Sequence, residues 1–152
     1  MNFRNFLTLT IRVQDFNLVA KQPDLVEKLR ELTLSPTSGL NFELTRMLKD
    51  AKQRAVDCRI ILASRFGNLA GWAILSKEDT DYPFAKAYNG FRSEQGYLFQ
   101  AFVSEPVRRQ GIGSEIMKTA FNLAKGQTVF VCPWDERSEG FYYNFEDGID
   151  RL

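Results

Sequence analysis

The sequence predicts a single α/β domain built on a mixed central sheet, and three stretches carry the prediction. Tyr97 to Val103 is almost continuously apolar and rich in β-formers, as a strand covered on both faces should be. Ile116, Met117, Ala120, Phe121, Leu123 and Ala124 then recur at helical spacing, and Thr128 to Val131 is a short run of strand formers. A strand, a helix and a strand joined so tightly make a parallel, right-handed unit. Upstream, Cys58 to Ala63 and Leu69 to Ser76 flank the turn Phe66-Gly67-Asn68 and read as an antiparallel hairpin. Parallel and antiparallel pairing in one chain means a mixed sheet.

From the start of the chain, Leu7, Leu9, Ile11 and Val13 alternate with Thr8, Thr10 and Arg12, the pattern of a half-buried strand. Pro23 suits the first turn of a helix whose apolar stripe is Leu25, Val26, Leu29 and Leu32. The cluster Ser35-Pro36-Thr37-Ser38-Gly39 breaks it. Asn41 can cap a further helix with Leu44, Met47, Leu48 and Ala51 inward and Lys49, Lys52 and Arg54 toward water. The helix after the central strand opens at Ile112, carries Glu115 in its first turn and Lys125 in its last, and meets its stop at Gly126. Asp135 is placed to cap a last helix carrying Ser138, Phe141 and Tyr142.

Composition narrows the classes. The 152 residues, 44% apolar and 13% aromatic, suit one domain over residues 1–152 with a sizeable core. Net charge is 20 − 19 = +1, which gives no global pull toward nucleic acid or membrane. Cys58 and Cys132 are solitary and fall in predicted strands, so buried thiols are expected rather than a disulfide or metal pair. The absence of histidine removes Ser-His and Cys-His nucleophile systems and most zinc sites, and no metal is expected. No signal peptide, spanning apolar run, repeat or low-complexity tract is present, which predicts a soluble cytoplasmic protein.

The turn between the central strand and its helix concentrates the chemistry. It reads Ser104-Glu105-Pro106-Val107-Arg108-Arg109-Gln110-Gly111-Ile112-Gly113, and Pro106 ends the strand. Gly111 and Gly113 sit where a helix begins with unpaired N–H groups, and such an end attracts phosphate. Arg108 and Arg109 add two positive charges suited to a pyrophosphate. The plainer alternative is a Gly-containing turn with a solvated basic edge. A P-loop needs Lys-Ser or Lys-Thr after its last glycine, whereas Gly113 is followed by Ser114-Glu115. A dinucleotide fingerprint needs a third glycine and an acid ending the next strand, which here ends Val131-Cys132-Pro133.

The stretch resembles motif A of the GNAT superfamily of acyl-CoA-dependent N-acyltransferases, where Arg/Gln-x-x-Gly-x-Gly/Ala follows a valine-ended strand. Val103 stands at the strand end, and Arg108-Arg109-Gln110-Gly111-Ile112-Gly113 fills every specified position. Gly71-Trp72-Ala73 resembles the family's Gly-aromatic-small third strand. Asp135-Glu136-Arg137-Ser138-Glu139-Gly140-Phe141-Tyr142 resembles its Asn-x-x-Ala-x-x-Phe-Tyr segment, with Asp for Asn and Ser for Ala. The resemblance spans Ile11 to about Phe145 and is strongest from Gly96 to Lys125.

That resemblance implies a mostly antiparallel sheet with a parallel, splayed pair of fourth and fifth strands, helices on both faces and a shortened C-terminal end. It implies acetyl-CoA as cosubstrate. The amides of Gln110, Gly111, Ile112, Gly113 and Ser114, beside Arg108 and Arg109, would hold the pyrophosphate, and the main chain of Ala101, Phe102 and Val103 would pair with the pantetheine arm. A primary amine, on a small molecule or a protein, would attack the thioester directly. Amides near Phe102 and Val103 would face the developing oxyanion. Tyr142 matches the family tyrosine that protonates the departing thiolate, against the alternative of a partly buried helix tyrosine with a satisfied hydroxyl. Where many members carry a strand-four carboxylate, Phe99 and Gln100 stand here, so no base is assigned; Glu94, Glu105 and Asp135 are the nearest acids, and a water relay serves equally.

Lys77 to Gly96 is too long and polar for a tight hairpin and sets Tyr82, Phe84, Tyr88 and Phe91 among Asp79, Asp81, Lys86, Arg92 and Glu94. It is either an acceptor-recognition loop or an aromatic mini-core packing its own loop. Only Glu146 to Leu152 follow the Phe-Tyr helix, where the resemblance implies two further strands. Either Gly148 to Leu152 forms one short strand or another chain covers the open edge, so a homodimer or protein partner is expected. The leading function is acetyl transfer from acetyl-CoA to an amine. A non-catalytic acyl-CoA-binding or protein-interaction module on the same fold is the second class; nucleic-acid binding ranks third, because no wider basic stripe accompanies Arg108 and Arg109.

Overall fold

A computed structural model of the chain describes residues 9–33, 58–77, 95–104, 111–131 and 149–151. The elements are β1 (Leu9–Asp15), α1 (Phe16–Val19), α2 (Pro23–Thr33), β2 (Cys58–Arg65), β3 (Asn68–Ser76), β4 (Gly96–Val103), α3 (Ile112–Ala124), β5 (Thr128–Val131) and β6 (Ile149–Arg151). The strands form one six-stranded sheet in chain order. Pairing is antiparallel from β1 to β4 and parallel between β4 and β5 and between β5 and β6. This is the mixed sheet the sequence predicts. β6 corresponds to the first of the two alternatives for the chain's end, a short strand within Gly148 to Leu152, and it occupies three rungs beside β5.

Continuous apolar runs mark strands buried on both sides. Ile60, Leu62, Trp72, Ile74, Leu98, Phe102 and Phe130 pack on one face with Phe16 and Val19 of α1 and Leu29 of α2. Ile61, Ala73, Leu75, Tyr97, Phe99, Val129 and Val131 pack on the other with Ile112, Ile116, Met117, Ala120 and Ala124 of α3. Each large apolar side chain moved from water into these layers contributes about 1.5–3 kcal/mol, so the sheet is clamped from both faces.

Several local features differ from the sequence reading. α1 was not anticipated; Asp15 caps it by accepting the Asn17 N–H at 2.8 Å, and Phe16 and Val19 bury its inner side. Val13, expected inward, is 39% exposed near the end of edge strand β1. The left-handed turn that ends α3 begins at Lys125, one residue before the expected Gly126. The helix expected after Asn41, most of the Lys77 to Gly96 loop, Cys132 and the Phe141-Tyr142 helix lie outside the described residues. Among the described residues no helix is long and apolar enough to cross a membrane.

The β2–β3 turn is tighter than expected. Asn68 already belongs to β3, and Phe66 and Gly67 alone make the turn, with φ of 51° and 79°. Two positive φ values define the type I′ turn that favours Asn-Gly. A bulky residue in the left-handed region carries a cost of about 1–2 kcal/mol, and Phe66 is 74% exposed, its ring centroid 6.0 Å from the Arg65 guanidinium carbon. Phe66→Asn is therefore expected to add about 1 kcal/mol of stability, a rise of about 2–4 °C in thermal midpoint. A midpoint that falls would mean that the ring's contacts outweigh the backbone relief.

Candidate functional site

Among the described residues β4 is paired on both sides at Leu98 and Phe99. β3 accompanies it from Ser76↔Leu98 to Gly71↔Val103, and the described β5 ladder runs from Gly96↔Thr128 to Phe99↔Val131. Cys132 and Pro133, which follow β5, lie outside the described residues. β4 continues beside β3 through Gln100, Ala101, Phe102 and Val103, and β4 and β5, being parallel, present their carboxyl ends at the same end of the sheet. Ligands of open α/β sheets bind outside such carboxyl ends. The Ser104 N–H, bonded at 2.8 Å to the Ala70 carbonyl, holds the end of β4 against β3 as the chain leaves toward α3.

α3 begins at this end of the sheet. Its cap is Gly111, at φ 85° and ψ 1°, with no side-chain capping bond. Across the cap the Glu115 N–H bonds the Gly111 carbonyl at 3.1 Å. The N–H groups of Ile112, Gly113 and Ser114 therefore begin a helix without a capping side chain, and the helix dipole adds partial positive charge there. Ile112 and Ile116 are buried and fix the first turn against the sheet. Glu115 is engaged by Lys118 at 3.3 Å. The arrangement suits an anion at the start of α3.

Of the site residues expected from sequence, Ala101, Phe102 and Val103 lie at the carboxyl end of β4, and Gly111, Ile112, Gly113 and Ser114 form the start of α3. Arg108, Arg109, Gln110 and Tyr142 lie outside the described residues. Among the described residues no group of three or more His, Cys, Asp and Glu could hold a metal ion. The residue that sequence reasoning underrated is Gln100. It is 5% exposed, and among the described residues neither its Oε1 nor its Nε2 has a hydrogen-bond partner. Its signal was visible as the single strongly polar residue between Tyr97 and Val103.

Solved structures share this architecture at low identity. The ribosomal-protein-alanine N-acetyltransferase of Brucella melitensis biovar Abortus 2308 superposes with a TM-score of 0.57 and 16% identity, over 90% of this chain and 89% of that one. An acyl-CoA N-acyltransferase from Pseudomonas aeruginosa gives 0.55 and 17%, over 90% and 85%. An aminoglycoside N-acetyltransferase in complex with CoA gives 0.56 and 16%, over 93% and 88%. No curated protein sequence matches this chain. The model of the acetyltransferase (GNAT) family matches residues 26–145, most of the chain, including β4, α3 and β5, and the protein therefore belongs to that family.

Proposed function

We propose that the protein is an N-acetyltransferase that moves an acetyl group from acetyl-CoA to a primary amine by direct attack. The observation that carries this reading is the parallel β4–β5 pair with the Gly111-capped start of α3 following β4. The residues fit the coenzyme: pyrophosphate needs convergent N–H groups with no Cβ in the way, and pantetheine needs an extended main-chain edge. Gly111 to Ser114, with Gln110, Arg108 and Arg109, would take the first role, and Ala101 to Val103 the second. CoA-bound relatives of the same fold support the assignment.

Acetyl-CoA would supply the acyl group and a thiol leaving group. The main chain near Phe102 and Val103 would donate to the carbonyl oxygen as negative charge develops. Tyr142 would protonate the departing sulfur. A protein of near-neutral charge using this cosubstrate fits the cytoplasm. The second reading, a non-catalytic acyl-CoA-binding module, is favoured by one feature: β4 carries Gln100 and no carboxylate.

Titration calorimetry with acetyl-CoA, followed by amine-dependent thiol release, separates the readings. Binding with transfer supports the enzyme, binding without transfer supports the module, and no binding by folded protein overturns both. Tyr142→Phe is expected to lower turnover about 10²-fold while acetyl-CoA affinity stays constant. Unchanged turnover would remove Tyr142 from the chemistry.

A further inference from the structure

We infer that the tip of the β2–β3 hairpin holds the adenosine 3′-phosphate end of acetyl-CoA, with the Phe66 ring stacked on the adenine and the Arg65 guanidinium toward the 3′-phosphate. This rests on the acetyltransferase reading and adds a nucleotide-binding element to the same site.

The starting observation is a residue that is costly where it stands. Phe66 takes the first position of the turn at φ 51°, a left-handed conformation that bulky side chains rarely adopt, and it is 74% exposed. Asn-Gly makes such a turn without either cost. Backbone strain at a residue that the core does not need points to a use outside the fold. The surroundings of the ring narrow that use. The Arg65 guanidinium carbon lies 6.0 Å from the ring centroid, so an exposed aromatic surface and a positive charge stand together.

The strand register places this tip at the coenzyme end of the sheet. Gly71 of β3 pairs with Ala63 of β2 and with Val103, the last residue of β4. The second turn of α3 rests on this rung, since a Cβ on Gly71 would lie 3.5 Å from Ile116 Cδ1. As the crossover between parallel strands, α3 runs opposite to β4, so Ile112 lies about 6 Å beyond Ile116 in the direction of the carboxyl end. β2 runs parallel to β4, and Phe66 stands three residues past Ala63 in that same direction, about 10 Å. Hairpin tip and helix start therefore project past one rung at one end of the sheet.

Coenzyme A carries the groups that such a tip can recognise. Beyond its pyrophosphate it has an adenine, whose face stacks on an aromatic ring, and a ribose 3′-phosphate that attracts a guanidinium. With the pyrophosphate at the start of α3, the adenosine is left outside the sheet at the end where Phe66 projects. A nucleotide engages both ring and charge, whereas an apolar partner would engage the ring alone.

Calorimetric affinities for acetyl-CoA and for acetyl-dephospho-CoA, which lacks only the 3′-phosphate, are measured together with thermal midpoints. Wild type is expected to bind acetyl-CoA at least about fivefold more tightly than the dephospho form. Phe66→Asn, with a midpoint equal or higher, is expected to weaken both ligands by at least about fivefold. Phe66→Tyr should keep wild-type affinity and Phe66→Leu should lose it, because only tyrosine retains a stacking face. Arg65→Gln should bring the preference for the 3′-phosphate close to one. Wild-type affinity in Phe66→Asn or Phe66→Leu overturns the inference while leaving the acetyltransferase reading intact. Equal binding of the two ligands by wild type, or a preference that survives Arg65→Gln, overturns the part given to Arg65. Folded wild type that binds neither ligand removes the acetyltransferase reading and this inference with it.

Discussion

In Gly111→Glu, acetyl-CoA is expected to lose its power to raise the thermal midpoint. Wild-type protein with ligand at about a hundredfold excess over Kd should gain about 2.7 kcal/mol, or about 5–10 °C for a chain of this size. The variant should gain nothing measurable. Gly111 caps α3 at φ 85°, where its missing side chain leaves the first-turn N–H groups open. A glutamate there places its own carboxylate at the positive end of the helix and confronts the incoming pyrophosphate with like charge. Juxtaposed like charges cost several kcal/mol, so affinity should fall by at least about 100-fold. The left-handed backbone adds a separate cost of about 1–2 kcal/mol to any non-glycine residue. Gly111→Ala shares that cost without the charge, so it should melt lower than wild type yet still respond to acetyl-CoA. If the glutamate variant also responds, the start of α3 is not the anion site. If the alanine variant fails too, the turn's backbone conformation rather than its charge governs binding.

How much of this site could be read beforehand depends on what each feature is made of. Thr128 to Val131 was legible to the residue, because a short strand of apolar residues between Gly126-Gln127 and Pro133 admits few other structures. Ile112 to Ala124 was legible because its buried residues keep one helical face over three turns. α1 was not, since a helix of four residues never completes the repeat that would reveal it; only Asp15 marks its start. The splay of β4 and β5 was implied by resemblance alone, and the described register shows the pair joined from Gly96↔Thr128 to Phe99↔Val131. Gln100 shows the limit most clearly. Its polarity is written in the sequence, but its lack of a partner depends on what β3 and the helices bring to that face, and no local pattern encodes that.

The first β4–β5 rung rests on Gly96, and Gly96→Ala is expected to cost at least about 3 kcal/mol of stability. Gly96 and Thr128 form the first β4–β5 rung, and the Thr128 N–H bonds the neighbouring Gln95 carbonyl at 3.1 Å. A Cβ on Gly96 would overlap the Thr128 carbonyl oxygen and lie 2.7 Å from its carbon and 3.0 Å from its nitrogen. These obstacles are main-chain atoms of the partner strand, so no rotamer change can clear them. β5 must move away, and Val129, Phe130 and Val131, each at most 1% exposed, lose the packing that closes both core layers. At an ordinary strand position the same substitution would be favourable by about 0.5–1 kcal/mol, because glycine carries the larger entropy loss on folding. The sign of the change is therefore diagnostic. Urea denaturation that finds Gly96→Ala as stable as wild type, or more so, would mean that β4 and β5 do not close at this rung.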